Sequence, residues 1–525
     1  MIRFSSTNKS CIAALACLTA LSTAANGSGT HQSVSIKAIL NRTAPAKVGM
    51  NTLELVLTNS DGKQVVGAKI SLDVEMTSMD MGSSHPSVTE KVNGVYSAQV
   101  RFSMTGPWKI TATVKEPSQM AVTKSFEFSI VDKPMEMGSM GGRLGNWSMA
   151  REGSGTSWLP DSSPMFMKML PESGQFDLSL MGYFTLDGNN SGGPRGSEKF
   201  FSTSMPMLMA RRETGGGILG FNLMMSLDPI FDGEYGYPNL FQTGETAHGN
   251  RLVDFQHPHN LIAEVSASYS HPIAKGIGGF VYGGPIGEPA LGGPNFAHRP
   301  SGFEIPEAPI SHHWFDSTHI SNGVITTGLN TDKWQVEGSV FNGHEPGENR
   351  YIPGQIGLNS ASTRLTYNPT HDLSFSASYG YLDSPESTEP GSNQNRFTAS
   401  AIWSQPMGHG DNLSVTWYLG RKTELGQISD AYLLEGTYLR GPDSYFIRWE
   451  NVDETELPDV PVGSYRINKI LFGDVHNLAK RDGFELGFGA YMGLYSFPSS
   501  LDPYYGRSPV TLGVFLRLRP TQMSK

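Results

Sequence analysis

The sequence has almost no cysteine. Its 525 residues include only Cys11 and Cys17, and both lie in the apolar run CIAALACLTALSTAA near the N-terminus. This run follows Arg3 and Lys9 and ends on small residues, so residues 1–25 have the pattern of a secretory signal peptide. The exported chain therefore lacks disulfides, and its stability must come from a large core, several domains or a closed sheet.

Other features are missing as well. After the leader no run of eighteen apolar residues occurs, which excludes a transmembrane helix. Lysine and arginine are scattered and the formal net charge is −10, so we expect no nucleic-acid partner. Phosphate-binding loops, serine-nucleophile motifs and the HExxH motif are absent, and we expect that the protein is not an enzyme.

Glycine and aromatic residues are abundant. The chain has 60 glycines and 10% aromatic residues but only 17% charged residues. β-Strands that are interrupted by glycine and carry belts of aromatic residues have this composition. The composition is compatible with a membrane barrel. We therefore predict an all-β protein.

Residues 31–133 contain short alternating runs such as TLELVLT and AKISLDVEM, separated by turn signals. Six or seven such strands in about a hundred residues predict an immunoglobulin-like β-sandwich. The stretches MTSMDMGSSHP and GVYSAQVRFSMTGPWKITATV resemble the YtkA-like family of small secreted β domains. The resemblance implies periplasmic copper handling by this domain.

Residues 134–170 are rich in methionine, glycine and serine and show no sustained period, which indicates a linker or an embedded tail. Residues 171–520 then contain alternating runs of about ten residues joined by short and long connections. In the last run, Val510, Leu512, Val514, Leu516 and Leu518 share one face, as a strand between lipid and water requires.

We predict that 171–520 forms an antiparallel outer-membrane β-barrel of about 14–16 strands. A soluble sandwich or a propeller is the alternative, but a propeller would repeat every forty or so residues and no such repeat is present. The C-terminal sequence RPTQMSK argues against a barrel, because such barrels usually end on an aromatic residue.

Methionines are concentrated in the first half of the chain. Thioethers suit Cu(I) or Ag(I) and stay usable in an oxidising compartment. Candidate soft-metal ligands lie in the loop after the third strand and in the linker: Met76, Met79, Met81, His85, Met135, Met137 and Met140. Met165, Met167 and Met169 repeat the pattern. The alternative is that methionine fills apolar gaps, as we expect for Met50, Met104, Met224 and Met225.

A further triplet, Met205, Met207 and Met209, shares one strand face with Arg211. If this face lines the lumen, the sulfurs form a ladder through a pore. If it faces lipid, they are ordinary apolar side chains.

Nine of the fourteen histidines lie between His248 and His344. In SHHWFDSTHIS, a helical turn would bring His312, Asp316 and His319 together at i, i+4 and i+7, with His313 beside them. Two imidazoles and a carboxylate suit a borderline divalent ion. A second candidate is DFQHPHN, where a proline separates His257 from His259. The alternative is that these histidines satisfy buried loop backbones.

The first functional hypothesis is therefore an envelope metal-handling protein. A periplasmic sandwich would bind copper as Cu(I), and an outer-membrane barrel would pass or hold the ion, with another divalent metal at the histidines. GEPALGGPNFAHRPS and HHWFDSTHIS also resemble uncharacterised secreted bacterial proteins of metal-resistance settings. Expected partners are metal ions and periplasmic metal-efflux or metal-carrier proteins. The alternatives are a secreted metalloenzyme with a His/Asp site in 248–344 and a general porin.

Overall fold

The structure is a computed structural model that describes residues 34–40, 46, 49–77, 83–91, 94–102, 106–115, 121–130, 141–145, 147–173, 175–387 and 390–523. The chain forms two compact units, residues 1–132 and 133–525. Among the described residues, no helix is long and apolar enough to cross a membrane.

The first unit is a two-sheet β-sandwich. Its strands are β1 (Ser35–Leu40), β2 (Gly49–Thr58), β3 (Lys69–Met76), β4 (Val88–Glu90), β5 (Val95–Phe102), β6 (Gly106–Lys115) and β7 (Val122–Ile130). The two antiparallel sheets have the orders β1-β2-β5-β4 and β3-β6-β7. Alternate residues, such as Leu53, Leu55 and Leu57, point into the core because successive strand side chains face opposite sides. The predicted sandwich is confirmed.

The second unit contains the remaining strands. They are β8 (Met167–Ser173), β9 (Phe176–Met181), β10 (Phe184–Ser191), β11 (Glu198–Phe201), β12 (Met207–Thr214), β13 (Gly217–Met225), β14 (Tyr237–Pro238), β15 (Glu245–Ala247), β16 (Asn250–Leu252), β17 (Phe255–Gln256), β18 (Ile262–Ala274), β19 (Ile277–Ile286), β20 (Val324–Asn330), β21 (Trp334–Phe341), β22 (Ser360–Thr370), β23 (Leu373–Leu382), β24 (Gln394–Gly408), β25 (Asp411–Glu424), β26 (Gln427–Arg440), β27 (Asp443–Glu454), β28 (Tyr465–Arg481), β29 (Phe484–Ser496) and β30 (Val510–Pro520). The connections carry short helices, α1 (Asp228–Asp232), α2 (His312–Phe315) and α3 (Asp502–Tyr505), and 3-10 turns at Met149–Arg151, Ser317–His319 and Ser499–Leu501.

Nineteen of these strands form one antiparallel sheet that closes on itself. The closure is made by β10, which pairs with β30, and by β9, which pairs with β12. β9 and β10 are two halves of one strand, as are β11 and β12, and β8 lies beside β9 as an additional strand. Sixteen strands therefore close the barrel, within the predicted range.

The two faces of the wall differ sharply in polarity. On β30, Leu512 and Val514 are each 51% exposed on the outside, whereas Thr511 and Arg517 are buried on the inside. Short turns such as 481–484 close one end, and long connections such as 226–261 and 287–323 lie at the other. An apolar outer band with short turns at one end and long loops at the other is the architecture of an outer-membrane barrel. That prediction is confirmed, although the last strand ends at Pro520 rather than on an aromatic residue.

Residues 141–145 and 147–166 lie inside the barrel. Side chains on the inner face hold this segment: Arg364 donates to the Thr156 hydroxyl at 2.9 Å, and Asn368 donates to the Leu159 carbonyl at 2.9 Å. Of the two interpretations of 134–170, the described part is an embedded segment rather than a linker. Residues 167–173 already form β8, so the wall begins before the predicted start at residue 171.

The long connection 287–323 also folds into the lumen. Arg299 donates to Glu435 at 2.7 Å, and Arg448 donates to the same carboxylate at 2.9 Å. Lys469 contacts Glu307 at 2.8 Å. Each of these side chains is buried, so charged pairs fix the connection to the inner face of the wall.

Candidate metal centre in the barrel lumen

Five buried histidines meet in the lumen. His257 and His259 come from the connection after β13, and His312, His313 and His319 come from the connection after β19. The ring centroids of His312 and His319 lie 5.1 Å apart, and those of His259 and His319 lie 5.3 Å apart. His257 lies 6.2 Å from both His259 and His313. The structure thus brings all five predicted histidines into one cluster, which we call the histidine cluster.

The stretch SHHWFDSTHIS forms α2 followed by a 3-10 turn. This local fold places His312 and Asp316 on one side of a helical turn, with the His312 Nδ1 atom 2.6 Å from a carboxylate oxygen of Asp316. The His319 ring lies next to them. The sequence hypothesis of a helical turn is therefore correct, and an extended strand, which would separate these rings, does not form.

Asp316 is not directed at the cluster centre as a ligand. One carboxylate oxygen binds the His312 Nδ1 atom, and the other accepts a hydrogen bond from Arg299 at 2.8 Å. Its backbone carbonyl accepts from the His319 Nδ1 atom at 2.8 Å. Asp316 orients two imidazoles, and its predicted role as a third ligand does not fit this geometry.

The other rings are anchored through Nδ1 in the same way. His259 Nδ1 lies 2.7 Å from the Asp228 carboxylate, and His257 Nδ1 lies 3.1 Å from the Pro258 carbonyl. Carbonyl and ionised carboxylate oxygens only accept hydrogen bonds, so these rings carry the proton on Nδ1. The Nε2 atom of each ring is then left with its lone pair, which is the form that binds a metal ion.

All five Nε2 atoms are buried, and none makes a hydrogen bond of good geometry with a described residue, although a carboxylate oxygen of Glu245 lies 3.1 Å from the Nε2 atom of His257. A buried polar atom without a partner costs about 1–3 kcal/mol. Five such atoms would therefore cost the folded state a large free energy if these histidines served only to hydrogen-bond loop backbones. The chemistry of the donor set fits a metal ion.

A carboxylate that the sequence analysis missed completes one side of the cluster. Glu245 lies 3.1 Å from His257 Nε2, and potential ligand atoms of Glu245, His257 and His313 all lie within 4.8 Å of one another. Arg350 holds the other oxygen of Glu245 at 2.8 Å. No sequence pattern marks Glu245, because it lies twelve residues before His257 and reaches it only through the fold of the connection.

Gly244 makes room for this arrangement. Its φ is +96°, and a Cβ atom there would lie 2.4 Å from the Nδ1 atom of His313. A side chain at this position would meet both the strained backbone conformation and the imidazole ring. His313 itself lies 3.2 Å from a carboxylate oxygen of Glu345.

Burial favours the neutral form of three of these imidazoles, those of His257, His313 and His319. It lowers the pKa of His257 well below 6.5, and the charge of Arg350 lowers it further. Burial and the neighbouring His312 likewise lower the pKa of His313 and of His319. Burial alone would raise the pKa of Asp316, but His312 and Arg299 lower it below its usual range, so Asp316 is ionised and accepts hydrogen bonds.

The structure describes two of the ligands predicted for the sandwich, Met76 and His85. Met76 is the last residue of β3 and is buried in the core opposite Trp108, not in a loop. His85 is exposed, with its ring 2.7 Å from Asp73. Met79, Met81, Met135, Met137 and Met140 lie outside the described residues. Met76 therefore has a packing role, and the remaining soft-metal ligands stay predictions.

The barrel methionines, in contrast, gather on the inner face. Leu208 is exposed on the outside, whereas Met205, Met207 and Met209 are buried, so the triplet faces the lumen. They pack with Met149, Met165, Met167 and Met224, and with the partly buried Met169, Met181 and Met523. Met224 belongs to the same apolar group, in agreement with its expected role as an apolar filler.

The barrel is similar in chain path to solved porins at low sequence identity. An anion-selective porin from Comamonas acidovorans is 14% identical, with a TM-score of 0.40 over 66% of this chain and 99% of that chain. OprB of Pseudomonas putida is 10% identical (TM-score 0.43, 66% and 94%), and the channel DcaP of Acinetobacter baumannii is 10% identical (TM-score 0.41, 67% and 99%). The assignment as a barrel rests on the strand pairing and the apolar outer face described above.

No curated protein matches the chain in sequence. For the first unit, the resemblance predicted from the methionine-containing loop and the strands after it is confirmed, since residues 30–113 match the model of the YtkA-like family.

Proposed function

We propose that this chain is a metal-handling protein of the outer membrane that holds a divalent ion in the lumen of its barrel. The observation that carries the proposal is the histidine cluster, in which five buried Nε2 atoms make no hydrogen bond of good geometry with a described residue. Imidazoles with one carboxylate suit ions of borderline hardness such as Cu(II), Zn(II) or Ni(II). Glu245 is the carboxylate best placed to join them.

The hydrogen bonds to Nδ1 support this reading. In protein metal sites, a ligating histidine usually donates its second ring N–H to a carboxylate or a carbonyl, which fixes the tautomer and the ring orientation. Asp228, Asp316 and the Pro258 carbonyl supply these acceptors here. These three acceptors would form the outer shell of the proposed metal site.

The filled lumen favours this function over a general porin. A porin needs a water-filled channel, whereas residues 141–145, 147–166 and 287–323 lie inside this barrel and are bound to its wall. Copper is the first ion to examine, because the resemblance of the first unit to the YtkA-like family implies copper handling. We further propose that the sandwich lies in the periplasm and delivers or receives the ion there.

Binding of Cu(II) and Zn(II) to the folded full chain tests the proposal. The informative variant replaces His257, His312 and His319 by alanine. The matched control is His271→Ala, because His271 also precedes a proline and its Nδ1 atom contacts that proline's carbonyl at 2.6 Å, yet it is exposed. We expect the triple variant to lose tight divalent binding and the control to retain it. Equal binding by both would refute a metal site at the cluster.

A further inference from the structure

A second group of metal-ligating side chains lies in the same lumen, apart from the histidine cluster. Four neighbouring strands, β8, β9, β12 and β13, place Met167, Met181, Met207 and Met224 directly opposite one another. Directly opposed residues of an antiparallel sheet lie on the same face. The register therefore produces a row of four thioethers on the inner wall, although these residues are far apart in sequence.

Next to this row is a cavity of about 80 Å³. Four methionines line it: Met149, Met165, Met181 and Met205. They come from four separate parts of the chain, and only the closed barrel brings them together. We call this space the methionine cavity.

The cavity is not purely apolar, as a packing defect would be. His298 lines it with a partly buried imidazole. Glu152 also lines it, and the Oε2 atom of Glu152 is buried without a hydrogen-bond partner among the described residues. Thioethers, an imidazole and a carboxylate oxygen thus line one cavity.

One cation also borders the cavity, but its charge is compensated. Arg519 contacts Glu304 and Glu485, each at 2.8 Å. Its guanidinium carbon lies 3.5 Å from the ring centroid of Phe166 and 5.1 Å from that of Phe303. Arg143 Nε forms a long ion pair of 3.9 Å with Glu152 Oε2, which leaves this oxygen without a hydrogen bond among the described residues. The cavity therefore offers one carboxylate oxygen to a cation.

We propose that the methionine cavity binds a soft monovalent cation, Cu(I) or Ag(I), through the thioethers of Met149, Met165, Met181 and Met205 with His298 as a further ligand. Neutral sulfur ligands prefer such soft ions over harder divalent ions. This proposal does not depend on metal binding at the histidine cluster, since the two sites use different residues and different ligand atoms.

The two sites are nevertheless neighbours. Phe296 packs in the same apolar group as the methionines, and its ring centroid lies 5.3 Å from that of His312 and 6.0 Å from that of His259. Phe296 thus packs both with the apolar group that contains the methionines and with rings of the histidine cluster. The lumen would then have one site suited to Cu(I), the methionine cavity, and one suited to Cu(II), the histidine cluster.

Titration of the folded full chain with Ag(I) tests the inference, because Ag(I) is soft and stable in air. The variant carries Met149→Leu, Met165→Leu, Met181→Leu and Met205→Leu, which remove sulfur at nearly constant volume. The control carries Met407→Leu and Met492→Leu, two methionines outside the cavity. We expect the cavity variant to bind about one Ag(I) fewer per chain than the control and to keep its divalent binding.

Equal Ag(I) stoichiometry in the two variants would overturn the proposal. Loss of Ag(I) in the histidine triple variant alone would assign the soft ion to the histidine cluster instead, which also overturns it. Conversely, if the chain binds no divalent ion but still binds Ag(I) in the cavity, the proposed function is refuted and the site in the methionine cavity is retained.

A second measurement needs no variant. Hydrogen peroxide converts methionine to its sulfoxide, and a bound sulfur is protected. Peptide mass spectrometry on the native chain should show that Ag(I) slows oxidation of Met149, Met165, Met181 and Met205 but not of the exposed Met407. Unchanged oxidation rates at all four cavity residues would contradict the inference.

Discussion

The Nδ1 atom of His312 lies 2.6 Å from the carboxylate of Asp316, and Asp316 is held in turn by Arg299 at 2.8 Å. These contacts link the histidine cluster to the charged pairs that fix the connection 287–323, which we call the lumen connection, to the barrel wall. They make Asp316 a positioning residue, whose effect on metal binding passes through the orientation and basicity of His312.

The first prediction concerns these contacts. Asp316→Asn keeps the size and one acceptor oxygen but removes the negative charge, so the His312 imidazole becomes a weaker donor to a metal ion. We expect divalent affinity to fall by about 10–100-fold, the scale seen when outer-shell partners are lost. Titration of the folded variant measures this. Asp332→Asn, in an exposed short turn, is the control. Identical affinities in the two variants would rule out the positioning role.

The second prediction is a pH dependence. The pKa values of His257, His313 and His319 are lowered, so these rings remain neutral as the pH falls through 6.5. Protons compete for Nε2 only below the lowered pKa values, and we expect metal release to begin below about pH 6.5, where an exposed histidine would already be half protonated. The sequence alone indicates release near that pH.

The same shifts act on stability. Near pH 6.5 the unfolded chain takes up protons on these histidines and the folded chain does not, so the stability of the metal-free protein should fall as the pH drops below that value. Retained metal after dialysis at stepped pH checks the release point. Complete release at or above about pH 6.5 would contradict the lowered pKa values.

The third prediction concerns the lumen connection. Arg299→Met leaves the buried carboxylates of Asp316 and Glu435 without their shared partner, which costs about 3–5 kcal/mol. The connection should loosen, and ion conductance in planar bilayers should rise. Arg421→Met, which breaks the exposed pair with Asp430, should leave conductance unchanged. If both variants conduct like the native chain, the charged pairs do not keep the lumen closed.

The fourth prediction separates packing from binding in the sandwich. Met76 is a core residue, so Met76→Leu should leave Cu(I) binding by the chain unchanged. Met79→Leu combined with Met81→Leu should reduce it if that loop binds copper, as the sequence predicts. Competition with a Cu(I) chelator measures both variants. Weaker binding in Met76→Leu alone would place its sulfur at the metal rather than in the core.

Much of the fold was accessible from the sequence because it depends on local patterns. Alternation in runs such as VTLGVFLRLRP predicts strands with one apolar face, and the number of runs predicts the size of the barrel. The spacing of His312, Asp316 and His319 likewise predicts their meeting on a helical turn, since four residues make about one turn.

Contacts between distant segments were not accessible. Glu245 and Asp228 reach the histidines through the path of a long connection, and nothing around either residue marks it as part of a site. The methionine row depends on the register of four strands, so the isolated Met181 and Met224 looked like ordinary apolar residues. The sequence also could not show that residues 141–145 and 147–166 lie inside the barrel, because glycine, serine and methionine suit a linker equally well.

The most direct test is the location of the ion itself. Crystals of the full chain grown with Zn(II) and measured at the zinc absorption edge should show an anomalous peak among His257, His259, His312, His313 and His319, with Zn–N distances of about 2.0–2.1 Å to Nε2 atoms. Ordered histidines whose Nε2 atoms are bridged only by water molecules, with no anomalous peak in the lumen, would contradict the proposal that this barrel holds a metal ion.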